Sequence, residues 1–155
     1  MTAKRLHWER LAEQMTNHVK LEFEAKDVNV KFARIAAMAF IGELNPTVDE
    51  AEDVKTAVSE AVTNAIVHGY EGGEGVVYME CFSFDNTVMI SICDRGCGIE
   101  DVKKAREPLF TTKREEERSG LGFTVMESFM DSLHIESEKG NGTTITMSKR
   151  IGSNV

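Results

Sequence analysis

Glu60, Asn64 and His68 recur at four-residue intervals within the stretch SEAVTNAIVHGY, residues 59–70. At helical pitch this spacing lines a carboxylate, a carboxamide and an imidazole along one edge of a helix. Ala57, Val58, Ala61, Val62, Ala65 and Ile66 fill the neighbouring face and mark it as buried. Glu60 could take a proton from a water or a hydroxyl. Asn64 offers a hard oxygen of the kind that suits Mg²⁺, an ion that keeps several waters and takes further ligands from phosphates. Alone, the same stripe also reads as a solvated helix edge with an i,i+4 polar pair. His68 reads as a hydrogen-bonded helix-end residue.

Three further clusters carry chemistry. In DRGCG, residues 94–98, Asp94 follows an apolar strand pattern and Gly96 and Gly98 allow the backbone to turn sharply beneath a flat ligand. A carboxylate at that place accepts hydrogen bonds from an exocyclic amine, which adenine has. Guanine would set a carbonyl oxygen against it. The plain alternative is an ordinary Asp/Gly turn, and Cys97 inside it reads as a small filler. In SGLGF, residues 119–123, two glycines precede a helical pattern, and amides at such a start form a cradle for phosphate oxygens. Lys113, Arg114 and Arg118 lie just before it, available to neutralise a terminal phosphate, although REEER is equally a solvated run of mixed charge. GTT, residues 142–144, opens the last strand, where two adjacent hydroxyls, Thr143 and Thr144, could support Asp94 directly or through a water.

The elements that must position these groups follow from periodicity. Val19, Leu21 and Phe23 alternate as an edge strand. A first helix runs from about Val30 to Leu44, ending before Asn45 and Pro46, and a second begins at Thr47 or Asp49 and runs to Gly69. VVYMECFSF and TVMISICD straddle Asp85 and Asn86 as a buried hairpin. A short helix over Ile99–Ala105 precedes a charged segment with neither period, read as a loop. LGFTVMESFMDSL returns to helical spacing, and HIESEKGNGTTITMSKR forms a closing hairpin. This order predicts an α+β fold: a two-layer sandwich in which an antiparallel or mixed sheet carries its helices on one face.

Composition narrows the function. A chain of 155 residues with 41% apolar content reads as one domain over 15–152, with residues 1–14 an N-terminal extension or an expression remnant. A net charge of −8 disfavours direct nucleic-acid binding, which calls for a basic face. No apolar run approaches the roughly 20 residues that cross a bilayer, so the expectation is a cytoplasmic protein with no membrane partner. Cys81, Cys93 and Cys97 are an odd number without finger-like spacing, as free thiols in a reducing compartment would be.

Taken together, the helix stripe, strand–Asp–Gly–x–Gly, charged loop, Gly–x–Gly–helix and Gly–Thr–Thr resemble the ATPase superfamily shared by gyrase, histidine kinases and mismatch-repair ATPases. Within it, VSEAVTNAIVHGY, PLFTTKREEERSGLGFTVMESFMD and GTT are most similar to the sporulation anti-sigma F factors, a family of serine kinases. The resemblance spans roughly Met15 to Ile151 and implies a Bergerat-type ATP-binding fold, with a mixed, mostly antiparallel sheet. It also implies roles: Glu60 as general base, Asn64 as Mg²⁺ ligand, Asp94 as adenine reader with Thr144 behind it, and Gly96 and Gly98 shaping the pocket. Ser119, Gly120, Leu121 and Gly122 would cradle the phosphates of ATP or ADP, Arg118 would reach the last of them, and Thr112 and Lys113 would belong to a lid. The partners implied are a sporulation sigma factor, an anti-anti-sigma factor phosphorylated on serine, and a second copy of the chain, with Arg34 at a partner surface. A binding module without transfer activity, and the related general-stress kinase, are the alternatives.

Overall fold

The computed structural model describes residues 10, 13–107 and 122–152. Among them, five strands form one sheet in the order β1-β2-β3-β5-β4, comprising β1 (Asn17–Glu24), β2 (Val76–Phe84), β3 (Thr87–Asp94), β4 (Ser132–Glu138) and β5 (Gly142–Arg150). All four pairings are antiparallel, which resolves the expected antiparallel-or-mixed sheet to its first form. The helices are α1 (Val28–Ile41), α2 (Val48–Asn64), the single turn α3 (Val102–Ala105) and α4 (Gly122–Phe129).

Strict alternation gives the sheet one dry face. Val77, Met79, Val88, Ile90, Ile92, Ile145 and Met147 point to it and are buried. The helices meet it with Ala33, Ala37 and Ile41 from α1, Val54, Ala57, Val58, Ala61 and Val62 from α2, and Met126 from α4, all without exposure. The many alanines let α1 and α2 approach closely, while each enclosed valine contributes about 1.5–2 kcal/mol by leaving water. On the other face the alternate residues, among them Tyr78, Phe82 and Met89, are only half-buried. There His18 stacks on Phe82 at 4.4 Å and its Nε2 lies 2.9 Å from Glu80. Lys149 points inward at the sheet's rim, where its Nζ donates to the Phe129 carbonyl at 2.7 Å and sits 3.4 Å from Asp53, joining β5 to α4 and α2.

Element boundaries differ from expectation where side chains give no signal. The first helix begins two residues earlier than its apolar period, at Val28, and ends at Ile41. A 3₁₀ turn, Gly42–Leu44, follows, and Asn45 closes it at φ 53°. The helix expected over Ile99–Ala105 is confined to Val102–Ala105, because Asp101 caps it: its backbone is extended and its Oδ1 accepts the Lys104 amide at 3.1 Å. The second helix stops as an α-helix at Asn64 and continues as a π-helical turn, Ala65–Gly69.

Its start is a capping box. Thr47 Oγ1 accepts from the Glu50 amide at 3.1 Å, and Glu50 Oε1 accepts from the Thr47 amide at 2.9 Å. Glu50 is 9% exposed, and both of its oxygens also take the Gly152 amide, each at 3.1 Å, so one carboxylate anchors the helix and the far end of the described chain. The amide of Thr47, foremost, and then that of Gly152 hold its carboxyl below the ordinary value of 4.5, against the opposing effect of burial. A carboxylate so depressed contributes stability that is complete above its unfolded value and disappears as pH falls through the folded one. Replacing Glu50 by glutamine is expected to cost about 1–2 kcal/mol at neutral pH. Urea unfolding across pH should show this gap fading below the ordinary glutamate range.

Candidate functional site

A cavity of about 680 Å³ opens where α2, its π-helical turn, the turn after β3, α3, the start of α4 and β5 converge. Glu60, Thr63 and Asn64 line it from α2, Asp94 from β3, Gly98 from the turn, Gly122 and Phe123 from α4, and Thr143 and Ile145 from β5.

Asp94 is the most constrained of these groups. It ends β3 on the dry face and is 5% exposed. Its Oδ1 accepts the Gly96 amide at 2.9 Å, and the Thr143 backbone amide donates to the same carboxylate. Burial pushes its carboxyl above the ordinary 3.8, and the two amides oppose that rise. A low-dielectric carboxylate with lone pairs left over seeks a donor, and a flat heterocycle bearing an amine supplies one.

The π-helical turn makes room for this group. Its wider coil is closed by the Tyr70 amide on the Ala65 carbonyl at 2.9 Å, and the Gly72 amide reaches Ile66 at 3.0 Å. Gly69 is thereby pressed against the acid: a Cβ there would lie 2.6 Å from Asp94 Cγ. Gly96 is equally confined, since its Cβ would fall 1.9 Å from the Gly69 carbonyl oxygen. That carbonyl accepts the Cys97 amide at 2.8 Å, and Cys97 Sγ donates to the His68 carbonyl at 3.0 Å. Cys97 is therefore a link between two turns rather than filler. On its other side the Cys97 carbonyl accepts the Gly140 amide at 2.6 Å, and Gly98 turns at φ 72° against the Glu138 carbonyl. The Tyr70 hydroxyl completes the frame by donating to the Val76 carbonyl at 2.5 Å and accepting the Arg95 amide at 2.8 Å.

Glu60 and Asn64 are half-buried on the cavity wall, and a Cβ on Gly122 would sit 3.3 Å from Glu60 Oε2, so the described start of α4 lies close to that carboxylate. His68 also lines the cavity. Gly96 acts through its amide on Asp94. Thr144 is a correction: it pairs with Cys93, and its side chain belongs to the opposite face of the sheet. Thr143 pairs with Asp94, is 7% exposed and holds the place expected for Thr144, with its hydroxyl 2.7 Å from that of Ser137. Thr112, Lys113, Arg118, Ser119, Gly120 and Leu121 lie outside the described residues. Arg34 lies half-buried on α1, away from the cavity. Thr63 and Gly69 were not anticipated, and Thr143 was one of the two adjacent hydroxyls expected near Asp94, though the role went to Thr144. Which of the two threonines faces Asp94 depends on the register between β3 and β5, and the contact at Gly69 depends on a π-helical turn that leaves no mark in composition.

Comparison with known proteins places these features. Residues 23–149 match the family model described as a histidine kinase-like ATPase domain. The chain is 51% identical over 140 residues to the anti-sigma F factor of Thermoanaerobacter sp. strain X514, covering 90% of this chain and 98% of that one. It is 54% identical over 140 residues to the anti-sigma F factor of Clostridium perfringens strain SM101, covering 90% and 100% respectively. Among solved structures, the RsbU and RsbW domains of Rv1364c from Mycobacterium tuberculosis superpose with a TM-score of 0.64 at 21% identity, over 88% of this chain and 33% of that one.

Asp94→Asn separates binding from folding. With a carboxyl raised in the folded state, the protein binds more protons folded than unfolded between 3.8 and the raised value, so this group's contribution to stability falls as pH rises through that window. The asparagine variant is expected to lose this fall, to melt at neutral pH at or above the parent temperature, and to take up no adenine nucleotide. Thermal unfolding across pH and calorimetry with ATP measure the two effects.

Proposed function

The chain belongs to the anti-sigma F factor family, built on a histidine kinase-like ATPase domain, and from that premise we propose that it is a cytoplasmic regulator that binds and inhibits a sporulation sigma factor and uses Mg-ATP to phosphorylate a serine of an anti-anti-sigma partner. The observation that carries this reading is the meeting of Glu60, Asn64 and Asp94 around one cavity of about 680 Å³, within the usual few hundred to about 1,000 Å³ of small-molecule sites.

In this reading Asp94 accepts the adenine amine, with Gly69 and Gly96 keeping the floor flat. Asn64 offers its carboxamide oxygen to the metal. Among the described residues no group of three or more His, Cys, Asp or Glu side chains could hold an ion, so a single amide beside phosphates and water fits Mg²⁺ rather than a protein-caged metal. When bound, that ion neutralises the phosphate oxygens. Glu60, one turn before Asn64, orients the partner's serine hydroxyl and accepts its proton as the oxygen attacks the terminal phosphorus and ADP leaves. By similarity to the family, Ser119, Gly120, Leu121 and Gly122 take the role of the phosphate cradle, Arg118 that of the contact to the last phosphate, and Thr112 and Lys113 that of the lid. Such chemistry is mostly positioning and electrostatics, so one base, one metal ligand and a cationic segment suffice.

The regulatory half rests on differential affinity, since a nucleotide whose last phosphate touches the segment before α4 can set different partner surfaces in the ATP and ADP forms. Val28, Phe32 and Ile35 are exposed along one face of α1, the helix that also carries the half-buried Arg34, which supports that helix as a surface for the sigma factor and the anti-anti-sigma protein. A homodimer is the assembly in this reading.

Incubation with labelled ATP, Mg²⁺ and a candidate anti-anti-sigma protein is expected to place label on a serine. Glu60→Gln should cut transfer by about a hundredfold or more while ATP and sigma binding stay within threefold of the parent; equal loss of all three contradicts the assignment of the base. Binding without transfer in the parent would favour the module that has no kinase activity, and capture of a general-stress sigma factor alone would favour the stress relative. Arg34→Glu is expected to weaken capture of both partners about tenfold with ATP affinity unchanged. Unaltered partner affinities would remove Arg34 from the interface.

A further inference from the structure

Thr63 lies between Glu60 and Asn64 on α2, lines the cavity and is 6% exposed. Helical hydroxyls elsewhere return to the backbone: Ser59 Oγ donates to the Lys55 carbonyl and Ser128 Oγ to the Thr124 carbonyl, each at 2.8 Å. The Thr63 hydroxyl makes no such bond, nor any other, among the described residues. Every fully enclosed side-chain nitrogen or oxygen among those residues has a partner. The Thr63 oxygen, which has none, is therefore open to the cavity rather than sealed in the core. An unpartnered hydroxyl in a largely buried position is costly unless something that enters the cavity satisfies it.

Its place along the helix selects the kind of group. Asp94 meets the helix at Gly69, six residues beyond Thr63, which is roughly 9 Å along the axis. With an adenine amine at Asp94, a base-and-sugar length separates that contact from Thr63. Thr63 shares its part of the wall with Glu60, Asn64 and Gly122. A neutral donor beside a carboxylate is suited to an anion that the carboxylate itself repels.

We infer that the Thr63 hydroxyl donates a hydrogen bond to the phosphate chain of the bound nucleotide and so selects nucleotides over nucleosides. The inference rests on the reading of the cavity as an adenine-nucleotide site. Thr63→Val keeps the shape and removes the hydroxyl, and Thr63→Ser keeps the hydroxyl and removes the methyl.

Calorimetry with Mg²⁺ and, separately, ATP, ADP and adenosine on the full chain tests it. Thr63→Val is expected to weaken ATP and ADP about tenfold and adenosine less than twofold, while the unliganded protein melts at or above the parent temperature. Thr63→Ser is expected to restore ATP affinity to within threefold. Should the valine variant fail to fold, the ratio of ATP to adenosine affinity in Thr63→Ala is read against the same expectation. Parent-like ATP binding by a folded variant lacking the hydroxyl, or equal weakening of adenosine and ATP, overturns the inference while leaving the cavity's reading intact. A parent that binds no adenine compound overturns both.

Discussion

A carboxylate placed at the end of a buried strand has to be satisfied by backbone, and the backbone has to come unusually close to do it. That is the constraint on which the rest of this structure depends. Asp94 is held by the amides of Gly96 and Thr143, while Gly69 lies so near that no side chain fits between helix and acid. Each contact comes from a different segment: the turn after β3, the first residues of β5, and the end of the α2 run. Their convergence closes one end of the cavity and leaves the acid's remaining acceptor capacity facing that cavity. Preorganisation of this kind avoids the cost of arranging donors and acceptors when the ligand arrives.

The α2 helix serves two masters, and its sequence shows how. One face, from Val54 to Ala65, is apolar and seals the core. The border of that face carries Glu60, Thr63 and Asn64 into the cavity. Because both faces belong to one rigid element, burial of the valines and alanines fixes the height and rotation of the polar residues. The capping box at Thr47 and Glu50 fixes the other end. Glu50 in turn holds Gly152, so the helix that bears the site is tied at its base to the strand that completes the sheet.

Much of this was legible in the sequence, for physical reasons that can be named. The β2–β3 hairpin was readable to the residue because its alternation is unbroken and Asp85–Asn86 marks the reversal, with Asp85 at φ 51°. The polar stripe on α2 and the acid closing β3 were readable because they interrupt regular apolar patterns. The choice between Thr143 and Thr144 was not, since adjacent threonines differ only in which face of the sheet they take, and that depends on the pairing of Asp94 with Thr143. The late start of α3 rests on Asp101 taking the Lys104 amide, a cap that the apolar period does not register. The π-helical turn was the least visible. Ala65–Gly69 has ordinary helical content, and only the packing of Gly69 on Asp94 and Cys97 explains why the coil widens there.

That widened coil bears on how far the scaffold can be improved. Regularising irregular backbone is a common route to a sturdier protein, and removing one residue from Ala65–Gly69 would let the α-helical ladder run on with better local geometry. The same edit would swing the Gly69 carbonyl away from Cys97 and set a different residue against Asp94. Local order and the cavity floor are thus in competition over five residues, and in this chain the floor prevails.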